Sequence, residues 1–247
     1  MFPLRDHNPS NRTPYVTWAL IAINVVVFAS YSSVLSNDRA VQAFFYDWAL
    51  VPAAVSQGQD LHGFLTSMFL HGGWMHLGGN MLFLWIFGDN LEDILGHVRY
   101  LLFYLAGGLA AAMAQYLAEP YSMVPMVGAS GAIAGVMGGY LLMFPKARVD
   151  ILVIIVFFFR VFSVPAWVML GFWFAMQLIS GASATAETGG VAYWAHAGGF
   201  AMGLVLMLPV WLRRGGPGFW SRNAGHPPHP EAIYARSNVP KVTRKRR

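Results

Sequence analysis

Two polar residues stand out against apolar surroundings. Ser130 sits between glycines in Val127-Gly128-Ala129-Ser130-Gly131-Ala132, and His196 lies in Ala195-His196-Ala197-Gly198-Gly199. A hydroxyl and an imidazole within hydrogen-bond reach make a nucleophile and its general base. A third stretch, His71-Gly72-Gly73-Trp74-Met75-His76 with Asn80 four residues on, offers an imidazole and an amide on one helix face. Such donors suit a developing oxyanion. His71 lies five residues before His76, so it points elsewhere and reads as a packing or loop-anchoring residue. Ser130, Ala134 and Gly138 recur every four residues, with Gly131, Gly135 and Gly139 one step round, while His196, Gly199 and Gly203 share a face. Small residues at these spacings let helix backbones approach closely in lipid, which puts the serine and histidine on one tight seam. By itself the same spacing also fits polar groups that merely glue helices together.

Other chemistries fit less well. Cysteine is absent, which removes thiol nucleophiles and thiolate metal sites. The spacing of His71 and His76 is not that of a zinc-protease helix, and no glutamate stands between them to act as base. A three-histidine site from His71, His76 and His196 is the remaining metal alternative; no metal or cofactor is expected. Asp89, Glu92 and Asp93 cluster at the far end of the second helix and read as a solvated terminus. His196 is therefore left without a carboxylate, so a dyad is expected and not a triad.

The elements that must position these groups follow from composition. Of 247 residues, 56% are hydrophobic and 11% charged, against about 25% charged in an average soluble domain. Too little polar surface remains to cover a water-soluble globule, so a polytopic membrane protein is expected. With Pro3, Asp6 and Pro9 ahead of any apolar run, a cleavable signal peptide is not expected. Residues 1–12 form a polar tail, and the first apolar run covers Tyr15 to Tyr31. The connection from Ser32 to Gly63 is placed in the membrane interface, with Phe44, Phe45, Tyr46 and Trp48 at headgroup depth. A second helix within Phe64 to Phe87 stops at Gly88-Asp89-Asn90, a third covers Tyr100 to Leu117, and a fourth runs from Ala129 to Phe144. Val149 to Phe162 is too short to cross and contains Arg160, so it reads as interfacial or re-entrant. Pro165 to Ser180 and Val191 to Leu212 are the fifth and sixth helices, and a basic tail, residues 213–247, is expected to be disordered.

The predicted fold is thus an all-α bundle of six transmembrane helices over residues 13–212. Of the 16 Lys and Arg, all but Arg39 then fall in the two tails or the even-numbered loops, which places both termini in the cytoplasm. The starts of helices two, four and six, carrying His71, His76, Ser130 and His196, converge near the outer surface. Charged or broken helices at mid-bilayer, which a transporter or channel would need, are missing from helices three and five. The terminal Lys241-Val242-Thr243-Arg244-Lys245-Arg246-Arg247 follows a membrane helix, which favours anionic lipid over nucleic acid as a contact, and an ordinary solvated tail is expected ahead of either.

Three motifs, His71-x4-His76-x3-Asn80, Gly128-x-Ser130-Gly131 and Ala195-His196-x-Gly198-Gly199-x3-Gly203, resemble the signatures of rhomboid intramembrane serine proteases, in order and on helices two, four and six. The resemblance covers about Thr66 to Leu212, within a motif-bearing core of residues 64–212. It implies Ser130 as nucleophile and His196 as general base and then acid, with His76, Asn80 and the Ser130 backbone N–H as oxyanion hole. It further implies that Gly128, Ala129 and Met75 meet substrate and that His71, Gly131, Gly199 and Gly203 shape the surroundings. Trp173 and Gln177 on helix five become the lateral wall, with Gly181 to Gly190 as a mobile loop for gating. The implied substrates are single-span membrane proteins, cut near the outer membrane surface. The short N-terminus without a transit-peptide pattern makes a bacterial inner membrane the expected compartment, with an organellar membrane the alternative. A catalytically silent rhomboid-like scaffold that binds membrane clients is the alternative. Two departures stand out. Asp60-Leu61-His62-Gly63-Phe64 replaces a Trp-Arg pair that often anchors the family's first loop. Ala134 replaces the aromatic ring that many members stack on the histidine, so another group, such as Tyr193 or Trp194, must orient His196.

Overall fold

Apolar runs without water to bond their backbones fold as helices, because each N–H and C=O is then satisfied within its own segment. The computed structural model describes residues 2–155, 158–184, 190–228 and 230–232. Its long helices are α1 (Tyr15–Tyr31), α5 (Trp74–Leu95), α6 (His97–Ala118), α7 (Ser130–Met143), α8 (Ala166–Ser183) and α9 (Tyr193–Arg213). Among the described residues, α6, α8, α9 and α1 with its continuing 3₁₀ turn to Ser36 are long and apolar enough to cross a membrane. The remaining two differ from these: α7 is apolar but has only 14 residues, and α5 carries Asp89, Glu92 and Asp93 in its last two turns.

The all-α expectation needs correcting, since a three-stranded antiparallel sheet closes the end of the bundle remote from Ser130. It is ordered β1 (Phe2–Asp6), β2 (Arg148–Ile155), β3 (Phe158–Pro165). The segment expected to be interfacial or re-entrant is therefore a hairpin, paired from Arg148↔Pro165 to Ile155↔Phe158. Its valines, isoleucines and phenylalanines favour the pleated surface. The expected polar tail supplies the third strand, with Asp6 opposite Val149. Arg5 Nε and His7 Nε2 each lie 2.9 Å from a different Asp150 oxygen. Burial works against that carboxylate, but the hydrogen bonds from His7 and Arg5 outweigh it and hold its pKa below the usual range.

Helix α5 also departs from expectation by continuing past Gly88-Asp89-Asn90 to Leu95. The acids there are not a solvated terminus. Glu92 is fully buried and caps α1: its Oε1 accepts from Val16 N–H at 2.8 Å, and its Oε2 accepts from the N–H and hydroxyl of Thr17, each at 2.8 Å. A carboxylate at a helix N-terminus satisfies orphan donors and complements the helix dipole. Beyond α9 the chain is not wholly irregular either. Helix α10 (Pro217–Asn223) folds back so that Trp220 Nε1 donates to the Leu142 carbonyl at 3.0 Å. The terminal basic cluster and residues 185–189 of the expected gating loop lie outside the described residues.

The connection after α1 is built of α2 (Asp38–Trp48), α3 (Pro52–Ser56) and α4 (Gly63–Thr66). Phe44 stacks on Tyr31 at 4.6 Å, and Leu50 forms a β-bridge with Met126, just ahead of the Ser130 loop. Where the Trp-Arg pair is missing, His62 Nε2 donates to the Asp47 carbonyl at 2.7 Å and the Thr66 hydroxyl to that of Trp48 at 2.6 Å.

The centre of the bundle is the contact of α7 with α9. A Cβ on Gly203 would overlap the Gly135 carbonyl, one on Gly199 that of Gly131, and one on Gly138 that of Phe200. Backbone meets backbone along this seam, as small residues in lipid permit.

Candidate active site

Ser130 is the first residue of α7, and His196 lies in the first turn of α9. The seam brings His196 Nε2 to 2.8 Å from Ser130 Oγ. The start of α9 is held from a third helix: Ala195 N–H donates to Gln115 Oε1 of α6 at 3.2 Å. Such a bond satisfies one of the four orphan donors of a helix N-terminus and fixes where the imidazole begins.

The other imidazole nitrogen also has a partner. His196 Nδ1 lies 2.8 Å from Gln177 Oε1, and the Trp173 ring lies 5.6 Å from the imidazole, tilted by 38°. Both belong to α8, expected from sequence to serve only as a lateral wall. The group contacting His196 is thus neither Tyr193 nor Trp194, and Ala134 is fully buried beneath the site. One sequence signal could have found Gln177: it is the one side-chain amide in an apolar helix, and an amide facing lipid without a partner is costly.

The loop ahead of Ser130 depends on glycine. Gly128 has φ +132°, in the left-handed region that L side chains rarely adopt. A Cβ there would also meet His76 Nε2 at 2.9 Å and Ser130 Oγ at 3.3 Å. Gly128 N–H donates to the Ser67 carbonyl at 2.9 Å, tying this loop to the turn before α5.

His76 Nδ1 accepts from Gly72 N–H at 3.3 Å, which places the ring proton on Nε2, facing Gly128. Asn80 is buried, and its Nδ2 has no hydrogen-bond partner among the described residues. His76, Asn80, Gly128, Ser130, Trp173 and His196 line one cavity of about 800 Å³. An imidazole and an amide therefore border the same cavity as Ser130 Oγ. A carbonyl carbon attacked by that hydroxyl would develop its negative oxygen there.

Other expected site residues are placed less simply. Met75 lines the cavity mouth and is 84% exposed. Ala129 is fully buried and lies off the lining, so its side chain cannot meet a substrate. His71 is buried with its ring edge-on to His76 at 5.1 Å. Its backbone is pinned on both sides by Tyr31, whose hydroxyl accepts from His71 N–H at 2.6 Å and donates to its carbonyl at 2.9 Å. Gly131 and Gly199 meet in the seam directly beneath the serine and histidine, and Gly203 packs one turn deeper. Among the described residues, no group of three or more His, Cys, Asp or Glu side chains is placed to hold a metal ion.

The family model of the Rhomboid domain matches residues 58–213. Rhomboid protease GluP of Bacillus subtilis (strain 168) is 35% identical over 133 residues, 53% of this chain and 25% of that protein. Rhomboid protein 1, mitochondrial, of Saccharomyces cerevisiae is 31% identical over 194 residues, 77% of this chain and 51% of that protein. Putative rhomboid protease YdcA of Bacillus subtilis (strain 168) is 42% identical over 79 residues, 32% of this chain and 39% of that protein. The chain therefore spans between about a quarter and a half of the length of these relatives.

Proposed function

Since the chain belongs to the rhomboid family of membrane proteins, we propose that it is an intramembrane serine endopeptidase that hydrolyses single-span membrane proteins near the outer surface of the bilayer. The observation that carries this reading is the 2.8 Å approach of His196 Nε2 to Ser130 Oγ, at the edge of a cavity lined by Asn80, whose Nδ2 has no hydrogen-bond partner among the described residues. In the first half-reaction Ser130 Oγ bonds to the scissile carbonyl carbon while its proton passes to His196 Nε2. The carbonyl oxygen becomes an oxyanion beside Asn80 Nδ2, His76 Nε2–H and the Ser130 backbone N–H. Collapse breaks the C–N bond, and the leaving amine takes the proton from His196. Water then attacks the acyl-enzyme by the same steps, with His196 again as base and then acid.

Six crossings by α1 and α5 to α9 fit this chemistry. A helix of 14 residues is about 21 Å long, short of the roughly 30 Å hydrocarbon core. With Phe144-Pro145 at its far end, α7 would set Ser130 below the membrane surface, where only a cavity open to the outside supplies water. With six crossings, the Lys and Arg distribution favours the sheet on the cytoplasmic side and the site near the outer one. The exposed apolar face of α8, including Phe172, Met176 and Ile179, offers a wall past which a substrate helix could enter. A crosslink between α8 and α5 should then block cleavage of a membrane-embedded substrate.

The test is co-reconstitution in liposomes with a panel of fluorescent single-span proteins, with cut sites mapped by mass spectrometry. Cleavage within a few residues of the outer surface, lost with Ser130→Ala, supports the proposal. Stable co-purification of intact clients by wild type and Ser130→Ala alike would favour a silent scaffold instead.

A further inference from the structure

Gln177 has three buried companions along α8, Ala166, Leu170 and Gly181. At 8% exposed, its amide must be satisfied inside the protein, and both ends are. Nε2 donates to the Trp173 carbonyl at 3.2 Å, and Oε1 lies 2.8 Å from His196 Nδ1. The first bond fixes the second. Turning the amide over would set its oxygen against the Trp173 carbonyl oxygen, two acceptors facing each other. It would also present an N–H to His196 Nδ1, making that nitrogen an acceptor and placing the ring proton on Nε2. A ring protonated at Nε2 cannot take the Ser130 proton.

We infer that Gln177 is a positioning residue for the proposed reaction, holding His196 in the tautomer whose Nε2 is free to accept from Ser130. This rests on the Ser130–His196 reading above. When the proton moves to Nε2, the imidazolium keeps its Nδ1–H on Gln177 Oε1, and that bond becomes charge-assisted and stronger. The amide thus does the orienting work of a triad carboxylate without a second charge buried beside lipid, where an ionised acid is costly. Trp173 completes the device, with its carbonyl setting the amide and its ring lying beside the imidazole.

The experiment compares full-length wild type with Gln177→Leu, Gln177→Glu, Ser130→Ala and His196→Ala in detergent. The rate of fluorophosphonate labelling is measured for each, with thermal melts to establish folding. Nitrogen NMR on ¹⁵N-histidine-labelled protein reports the tautomer, the His196 signals being identified by their loss in His196→Ala. Gln177→Leu should label about 10- to 100-fold more slowly, the cost of losing one hydrogen bond to a charged group. Gln177→Glu keeps an acceptor at the same reach and should label within about threefold of wild type. His196 should appear as the single Nδ1-protonated species in wild type and as a tautomer mixture in Gln177→Leu. Labelling of Gln177→Leu at the wild-type rate with an unchanged tautomer would overturn the inference. So would a wild-type ring protonated at Nε2, a result that holds even if the leucine variant does not fold. Wild-type labelling that survives Ser130→Ala or His196→Ala would instead overturn the dyad itself.

Discussion

A serine hydroxyl becomes a useful nucleophile only when a base takes its proton and something else stabilises the charge passed to the substrate. In the proposed reaction Ser130 and His196 supply the first half of that requirement, and the second falls to Asn80 and His76. Asn80 Nδ2 is buried without a partner among the described residues and His76 Nε2 lies near Gly128, so each removal should cost a donor with little change in packing. Asn80→Ala and His76→Ala should each slow turnover by about 10²- to 10³-fold with little change in melting temperature. Turnover at the wild-type rate in either variant would remove that residue from the oxyanion site. At this scale the sequence was informative where glycine framed a polar group. Ser130, His196, His76 and Asn80 all stand within the first two turns of a helix, and each was legible from spacing. Gln177 was seen but given a different task, because its contact with His196 crosses between two helices and no spacing rule links residues 19 apart on separate elements. Ala129 differs from what the resemblance implied, contact with substrate, because its side chain is fully buried.

Elements carry these residues through a seam of glycine and through caps from neighbouring helices. Gly203→Ala places a methyl group against the Gly135 carbonyl, so α7 and α9 must part where they hold the dyad. It should destabilise the protein by about 1–3 kcal/mol and slow labelling of Ser130, both measured on detergent-solubilised protein. Glu92→Ala removes the acceptor for two backbone donors and one hydroxyl at the start of α1. A loss of about 1–3 kcal/mol in thermal unfolding, with labelling rate unchanged, is expected, since Glu92 lies at the end of α5 away from the site. The apolar helix runs were legible because their length and hydropathy are local properties. The strand β2 was not, because Arg148 to Ile155 is an apolar run too short for its period to separate strand from helix. Its partner β1 lies about 145 residues earlier, and no local pattern announces a pairing over that distance. Glu92 was misread for the same reason: a charged residue near a helix end looks solvated until a second helix is found to start on it.

The whole molecule has two polar ends with different work. One holds the cavity with Ser130 and His196. The other holds the sheet, where Asp6 of β1 reaches back into the bundle and accepts from the Tyr140 hydroxyl of α7 at 2.7 Å. Burial, reinforced by the charge of Asp89, raises the Asp6 pKa from its ordinary 3.8 to about 8. Between about pH 4 and pH 8 the folded protein keeps a proton that the unfolded chain releases, so stability should fall as pH rises through that window. Asp6→Asn keeps an acceptor for Tyr140 and should flatten the decline, read as melting temperature at pH 5 and pH 8 in one detergent. An equal decline in both proteins would mean that Asp6 does not set it. Because Tyr140 lies on the same helix as Ser130, this strand also braces the element that carries Ser130.

The most direct measurement is fluorophosphonate labelling of the purified, folded protein, comparing wild type with Ser130→Ala and His196→Ala. A serine activated by His196 at 2.8 Å should label in wild type, not at all in Ser130→Ala, and at least about 10²-fold more slowly in His196→Ala. Labelling of wild type and His196→Ala at the same rate, or none in a wild type that melts cooperatively, would contradict the dyad and leave a rhomboid fold without its chemistry.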